Sequence, residues 1–361
     1  MTVYIVLLCS LLLIDAISRL LPEKKQRLFQ AIGGGIGLWV VLSLRSVYCG
    51  VDLVQDDAQG ARNYLWMFND AQSRSFTELL FGYSERIEPG WMVLCKLLSF
   101  ISDNFIVFLS LIAAIQIILI GFVLKKSSRD IIFSYIVYFC FGLYAFSFSG
   151  LRQSTAIAVT FFASYFLMKD KPKTFFILVL LAFTLHRSSL LFLIALFLRK
   201  VKFTKGRAVI ISLAVLILLP FLGILTQFFS TALFSERYNV SAVMDSGGAY
   251  TMFAVYGLLV LLSFRFPNTP GNGFLRYMIL ASFAIQSLGV VSSSYLTRIG
   301  YYFQVFFLLY FPILVEAYFS KKARKPIMLL ASFLFLAFFY LTTKNSPLNV
   351  IPYNYFWVIS Y

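Results

Sequence analysis

The feature that most limits the fold of this chain is a series of long apolar runs separated by short clusters of lysine and arginine. A helix that crosses a hydrocarbon core of about 30 Å needs about 20 residues, and many of the runs approach this length. Charged residues make up 13% of the 361 residues, whereas an ordinary soluble domain has about 25%. The abundance of aromatic residues excludes disorder. The sequence therefore predicts an all-α polytopic membrane protein.

The runs and the basic clusters predict about 12 membrane segments within a single integral membrane domain, residues 1–361. The first run has no basic residue before it, and Lys24, Lys25 and Arg27 follow it. Positive residues favour the cytoplasm, so we expect the N-terminus outside; a cleavable signal peptide has the opposite charge order. The predicted segments are 3–21, 28–44, 104–124, 130–149, 152–168, two short limbs within 174–198, 208–225, 249–265, 277–296, 299–319 and 326–342.

The two predicted sides of the membrane differ in charge. Most of the 31 lysines and arginines lie in the predicted cytoplasmic loops, whereas most acids lie in the predicted external segments. We expect these external segments to be a long loop at 45–103, a second loop at 226–248 and a tail at 343–361. The net charge of +16 therefore reflects membrane topology, and we predict no nucleic-acid partner.

Two segments break the regular pattern. Residues 89–102 are apolar but too short to cross a bilayer, so we predict an interfacial helix on the external side. Residues 174–198 lie between two basic clusters, so the chain must enter the membrane and return within them. This predicts a short re-entrant hairpin with His186 and Arg187 at its apex, a structure that is stable only beside a polar cavity.

Four arginines lie away from the predicted cytoplasmic clusters. Arg45 ends the second span, Arg152 begins the fifth, Arg187 lies at the hairpin apex and Arg298 begins the eleventh. A guanidinium offers a fork of donors to phosphate oxygens, so arginines that converge on one face would bind a diphosphate. The alternative is that each arginine anchors its helix at the lipid headgroups.

Glu88 and His186 are the two candidate proton acceptors. Glu88 precedes Pro89 at the start of the short helix, where it is either a helix cap or a base for a sugar hydroxyl. His186 is the only histidine, and it is either structural or a second candidate base. Asp52 and two acids that follow it would suit a divalent metal, but the chain has no DxD motif here, and we predict neither a metal nor a cofactor.

The chain contains several short motifs that, in their order along the sequence, resemble those of the EpsG-like membrane proteins. These proteins are close to Wzy-type polysaccharide polymerases. One spacing departs from the family pattern, in which a tyrosine closely follows Gly-x-Asp, because Tyr64 comes twelve positions after Asp52. The residues that carry the resemblance are Arg45, Cys49-Gly50-Val51-Asp52, Tyr64, Glu88-Pro89-Gly90, Gly150-Leu151-Arg152-Gln153, His186-Arg187-Ser188-Ser189-Leu190, Arg298, Tyr301-Tyr302-Phe303 and Pro352-Tyr353.

The resemblance implies a metal-independent glycosyltransferase with a GT-C-like fold. Such an enzyme joins oligosaccharide units carried on undecaprenyl diphosphate at the periplasmic face of the bacterial inner membrane. Membrane lipid and a chain-length-regulating co-polymerase would be its partners. The implied catalytic residues are Glu88, His186 and Arg152, the diphosphate ligands are Arg45, Arg152, Arg187 and Arg298, and the sugar contacts are Asp52, Gln153, Tyr301, Tyr302 and Tyr353. For the tyrosines, an interfacial aromatic belt is the alternative.

Three other functions remain open on the sequence alone. An O-antigen ligase uses the same donor but a lipid A core acceptor. A membrane O-acyltransferase would use His186 as its base, although its acyl donor would come from the cytoplasmic side. A flippase for lipid-linked sugars would need alternating access, which often accompanies repeat symmetry, and the sequence has no visible internal repeat.

Overall fold

The computed structural model describes residues 1–55, 62–82, 87–215, 217, 247–267, 269–291, 294–346 and 348–357. Within these residues the regular structure is helical, and an isolated antiparallel bridge joins Arg45 to Tyr355. The helices fall into two units, residues 1–193 with 320–361 and residues 194–319. The predicted loop 226–248 lies outside the described residues except for its last two positions.

Among the described residues of the first unit are ten α-helices, which we number in chain order, and a final α-helix, which we call the last helix. They are α1 (Thr2–Ser18), α2 (Glu23–Ser43), α3 (Tyr64–Ser73), α4 (Phe76–Phe81), α5 (Pro89–Ser99), α6 (Phe105–Ser127), α7 (Ile131–Cys140), α8 (Leu143–Phe146), α9 (Leu151–Met168), α10 (Pro172–Leu185) and the last helix (Arg324–Thr343).

The second unit follows a 3-10 helix at Arg187–Ile194. Its described helices are Ala195–Leu198, 205–215, Gly247–Ser263, Pro270–Val291, Ser294–Gln304 and Phe307–Tyr318.

Two of the described helices are each long and apolar enough to cross a bilayer, α6 and the last helix. In the second unit, Arg298–Gln304 and Phe307–Tyr318 form a pair bent by 48° that meets the same test together. Beyond residue 217, the predicted span 208–225 lies outside the described residues. The remaining predicted spans correspond to helices that are shorter, broken or less apolar. The chain is therefore a helical membrane protein, and its total number of spans stays a prediction.

Two predicted segments are broken where the sequence contains a helix-ending residue. The predicted span 130–149 divides into α7 and α8 at Gly142, whose φ of +84° is a left-handed conformation that glycine adopts easily. The predicted hairpin 174–198 divides at His186, where α10 ends and the 3-10 helix follows. The break at His186 falls at the predicted apex of the hairpin, and the re-entrant path itself stays a prediction.

The Gly33-Gly34-Gly35 run lets α2 approach its neighbours closely. A Cβ on Gly34 would lie 2.7 Å from the Tyr135 ring of α7, and one on Gly35 would lie 3.2 Å from Ile117 of α6. On the other side, a Cβ on Gly33 would lie 3.3 Å from the Ile14 side chain of α1. Small residues permit such contacts between membrane helices, so this run allows three neighbouring helices to pack closely on α2.

Segments that the sequence analysis assigns to the cytoplasmic side come together in the first unit. Arg27 donates to the main-chain carbonyl of Lys125 at 2.6 Å. Lys325, at the start of the last helix, contacts the Asp15 carboxylate at 3.2 Å and the Asp130 carboxylate at 2.7 Å. These contacts join α1, α2, α6, α7 and the last helix at one end.

The C-terminal tail lies against the end of α2. The Arg45–Tyr355 bridge is flanked by a hydrogen bond from the Tyr353 hydroxyl to the Val41 carbonyl at 2.8 Å. The main-chain N–H of Phe356 also donates to the Leu44 carbonyl at 3.0 Å. Segments that the sequence analysis assigns to the external side are therefore neighbours as well.

Candidate active site

Three helix ends of the first unit meet at Glu88. Glu88 is the N-cap of α5, Arg152 is the second residue of α9, and His186 immediately follows α10. Backbone groups at helix ends lack partners within the helix, so such ends can hold side chains from elsewhere. Because Pro89 fits the first turn of α5, it fixes the start of this helix one residue after the carboxylate.

The Glu88 carboxylate accepts three hydrogen bonds through its two oxygens. Its Oε2 atom lies 2.6 Å from Nη1 of Arg152. Its Oε1 atom lies 3.0 Å from Nδ1 of His186 and 3.1 Å from the main-chain nitrogen of Arg187. The residue is only 5% exposed, so the contacts are made in a site that largely excludes water.

These contacts decide the charge state of Glu88. Burial alone would raise the pKa of its carboxyl, but the hydrogen bond from His186 and the positive charge of Arg152 lower the pKa to about 2. The N–H of Arg187 acts in the same direction. Glu88 is therefore an ionised carboxylate near neutral pH, and a carboxylate with so low a pKa accepts a proton poorly.

The ionised carboxylate also decides where the imidazole carries its hydrogen. An ionised carboxylate only accepts hydrogen bonds, so Nδ1 of His186 must be the donor in the contact with Glu88. In the neutral ring this leaves the lone pair on Nε2. The His186 side chain is 26% exposed, so part of it reaches the surface of the first unit.

Tyr64 is a member of the site that the sequence analysis did not assign to it. Its hydroxyl accepts the main-chain N–H of Arg152 at 3.3 Å, and it also hydrogen bonds to the Arg152 side chain. Tyr64 begins α3 and packs edge-on against Trp91 of α5, with ring centroids 5.5 Å apart. The only sequence signal for it was its place among the residues that carry the family resemblance.

The residues after His186 differ in how accessible they are. The Arg187 side chain is exposed, Ser188 is half-buried and Ser189 is buried. The main-chain N–H of Ser189 donates to the His186 carbonyl at 3.1 Å, which begins the 3-10 turn. The break after α10 therefore directs the N–H of Arg187 to Glu88 while its guanidinium lies at the surface.

A family model provides the comparison that decides the identity of the chain. The model described as the EpsG family matches residues 55–355. The chain belongs to the EpsG family. This family is associated with glycosyltransferase-like polysaccharide polymerases in membranes. Comparison with curated proteins and with solved structures gives no match.

The matched part of this EpsG family chain includes the whole cluster around Glu88 but not Arg45. Arg45 is 1% exposed, donates through Nη1 to the Leu42 carbonyl at 2.9 Å and lies 5.1 Å from the centre of the Phe148 ring. The bridge to Tyr355 also fixes its backbone. A diphosphate would reach this guanidinium only after the enclosing side chains moved.

Three of the sugar contacts predicted for this EpsG family chain have different surroundings. The Tyr353 hydroxyl donates to the Val41 carbonyl, and the centre of its ring lies 5.9 Å from the centre of the Tyr4 ring. Gln153 is buried on α9, next to Arg152. Asp52 is half-buried, and its carbonyl accepts the main-chain N–H of Tyr64 at 3.0 Å.

The remaining predicted residues belong to the second unit. Arg298, Tyr301 and Tyr302 share the helix Ser294–Gln304, with the two tyrosines one turn after the arginine. Arg298 and Tyr301 are half-buried, and Tyr302 is fully buried. Their roles in diphosphate and sugar binding stay sequence-based predictions.

The described residues contain no group of three or more His, Cys, Asp or Glu side chains placed to hold a metal ion. Asp52 belongs to these residues, whereas Asp56 and Asp57 lie outside them. At the candidate site, the Glu88 carboxylate is paired with Arg152 and His186.

Proposed function

We propose that this EpsG family protein is a Wzy-type polymerase of the inner membrane. It transfers a growing oligosaccharide from undecaprenyl diphosphate to a hydroxyl at the non-reducing end of a new lipid-linked repeat unit. The reaction takes place at the periplasmic face, and it uses neither a metal nor a cofactor. The observation that carries the proposal is the contact of one buried carboxylate with both His186 and Arg152.

In this reaction His186 is the general base, oriented by Glu88. The acceptor hydroxyl oxygen attacks the anomeric carbon of the donor, and its proton passes to Nε2 of His186. The Oε1 atom of Glu88 accepts the hydrogen bond from Nδ1, with 3.0 Å between the two atoms. This contact keeps the lone pair on Nε2 and stabilises the imidazolium that forms. Glu88 is the first candidate base predicted from the sequence, but the low pKa of its carboxyl favours the orienting role.

The bond that breaks joins the anomeric carbon to the phosphate oxygen, and the diphosphate leaves with the electron pair. Positive groups near this oxygen stabilise the charge that develops on it. A guanidinium has five N–H donors, so Arg152 can hold Glu88 and also donate to a phosphate. Arg187 adds a second guanidinium at the surface of the first unit.

The reaction is tested with purified protein in nanodiscs that contain only the native lipid-diphosphate repeat unit. We expect a ladder of products that rises by one repeat unit and does not change when EDTA is added. No ladder from folded protein and authentic substrate would contradict the proposal. The next assay would then ask whether a lipid A core acceptor becomes capped, as a ligase requires.

The role of the base is tested with His186→Gln, which removes the proton acceptor but keeps a polar side chain. We expect polymer formation to fall by roughly 10²- to 10⁴-fold, as for loss of a general base. Lys173→Gln is the matched control, because Lys173 is exposed at the other end of the same helix. Normal polymer from His186→Gln would remove His186 from the mechanism.

A further inference from the structure

Helices α5 and α10 approach each other closely at Gly90 and Thr184. A Cβ added at Gly90 would lie 2.5 Å from the Cβ of Thr184 and 2.7 Å from its main-chain oxygen. It would lie closer still to the Thr184 hydroxyl oxygen. Carbon atoms in ordinary contact are about 3.5–4.0 Å apart, so any residue larger than glycine would force the two helices to separate.

This contact lies directly beside the candidate site on both helices. Gly90 comes two residues after Glu88, in the first turn of α5. Thr184 comes two residues before His186, in the last turn of α10. The Thr184 hydroxyl donates to the Leu181 carbonyl of its own helix at 2.7 Å. The distance between the two helix ends is therefore limited by main-chain packing at this point.

We propose that Gly90 is a positioning residue, which sets the distance between Glu88 and His186 by its close contact with Thr184. The proposal rests on the proposed function for its effect on catalysis, but the position of the imidazole is measured separately. To relieve the contacts, a side chain at position 90 would have to move the helix ends apart by roughly 1 Å. The 3.0 Å contact of Glu88 with His186 would then exceed hydrogen-bond distance.

The position of the imidazole is measured by ¹⁵N NMR on protein labelled at histidine. Because the chain has a single histidine, the spectrum reports only on His186. In the neutral ring of the unchanged protein we expect a protonated Nδ1, which donates to Glu88, and an unprotonated Nε2. Gly90→Ala should shift the Nδ1 signal and produce a mixture of tautomers, since the carboxylate no longer holds one of them.

A second glycine provides a closely matched control. Gly271 also follows a proline at the start of a helix, Pro270–Val291, and a Cβ added there meets nothing within 4 Å. Gly271→Ala should leave both the His186 spectrum and polymer formation unchanged. It therefore accounts for any general effect of alanine in the first turn of a helix.

A rescue experiment separates positioning from a loss of folding. Thr184→Gly removes the two side-chain atoms nearest to a Cβ at position 90, while the main-chain oxygen at 2.7 Å remains. We therefore expect Thr184→Gly to return part of the Nδ1 signal of Gly90→Ala towards its original position. Polymer formation, reduced about 10²-fold by a displacement of 1 Å, should recover to a similar extent.

The two readouts distinguish failure of this proposal from failure of the proposed function. If Gly90→Ala leaves the ¹⁵N spectrum of His186 unchanged in folded protein, Gly90 does not position these groups and the proposal is wrong. A shift that Thr184→Gly does not reverse even in part would also contradict it. If the spectrum shifts and reverses while polymer formation stays normal, the positioning proposal stands and the catalytic role of His186 fails.

Discussion

Two buried carboxylates of the first unit have similar numbers of partners but different kinds. Asp15 accepts hydrogen bonds from Lys325 at 3.2 Å and from Gln30 at 3.1 Å, and it forms an ion pair with Arg19. Glu88 accepts from Arg152, His186 and the main chain. A carboxylate surrounded by donors is therefore not in itself evidence of a catalytic site.

The difference lies in what the partners can do and where they come from. The partners of Asp15 are lysine, arginine and glutamine side chains, which act only as donors to it and do not accept a proton near neutral pH. The partners of Glu88 include an imidazole that is partly exposed. The Asp15 cluster ties helices together, whereas the Glu88 cluster has the groups for proton transfer.

The largest expected effect comes from Arg152→Ala, which removes the cation from the Glu88 cluster. Polymer should become undetectable, a loss of at least roughly 10³-fold, because both leaving-group stabilisation and the contact with Glu88 disappear. The measurement is the product ladder per amount of folded protein. Arg19→Ala, which removes the exposed partner of Asp15, is the control and should keep its ladder. A normal ladder from Arg152→Ala would contradict the assignment.

Glu88→Gln should have the next largest effect, although it hardly changes the shape of the side chain. Either orientation of the amide places its NH₂ opposite a group that only donates, Arg152 on one side or the Arg187 N–H on the other. The negative charge that accepts the Nδ1–H of His186 is lost in both orientations, so the ring is no longer confined to the tautomer with its lone pair on Nε2. We expect roughly 10²-fold less polymer, with a shifted Nδ1 signal visible by ¹⁵N NMR. An unchanged Nδ1 signal would contradict this reasoning.

The third prediction concerns the dependence of stability on pH. The pKa of Glu88 falls from 4.5 to about 2 on folding, so the carboxylate stabilises the folded protein above about pH 5 and this contribution is lost towards pH 2. Its size is on the order of 3 kcal/mol. The midpoint of thermal unfolding should therefore fall more steeply with acid in the unchanged protein than in Glu88→Gln. Parallel curves would show that Glu88 is not the group responsible.

The smallest effect is expected from Lys325→Met in the Asp15 cluster. Lys325 is 45% exposed, and ion pairs that water reaches contribute about 0–1 kcal/mol each. Activity per folded molecule should stay normal, while the unfolding midpoint falls by a few degrees at most. A loss of activity comparable to that of the Glu88 cluster would show that the two clusters do not divide structure and catalysis as proposed.

The parts of the site that the sequence predicted depend on local signals. The run His186-Arg187-Ser188-Ser189 between two basic clusters predicted a broken segment, and α10 does end at Leu185. Pro89 predicted a helix start, and α5 begins there. Such signals act over a few residues, so they are visible without knowledge of the packing.

The parts that the sequence did not predict depend on contacts between distant segments. The enclosure of Arg45 involves Phe148 and Tyr355, and the close contact of Gly90 involves Thr184. Each depends on how helices from distant parts of the chain pack together, which the apolar pattern of a single helix does not specify. The same limit applies to Tyr64, whose contact with Arg152 joins α3 to α9.

The discontinuous first unit has a consequence for the order in which this protein is made. Asp15 and Arg45 are synthesised early, but Lys325 and Tyr355 lie beyond the whole of residues 194–319. At about 5–20 residues per second, the ribosome needs on the order of ten seconds to pass that stretch. During this interval the Asp15 carboxylate lacks Lys325, and the backbone at Arg45 lacks its bridge to Tyr355. Early truncation should therefore leave a membrane-inserted fragment that quality-control proteases recognise.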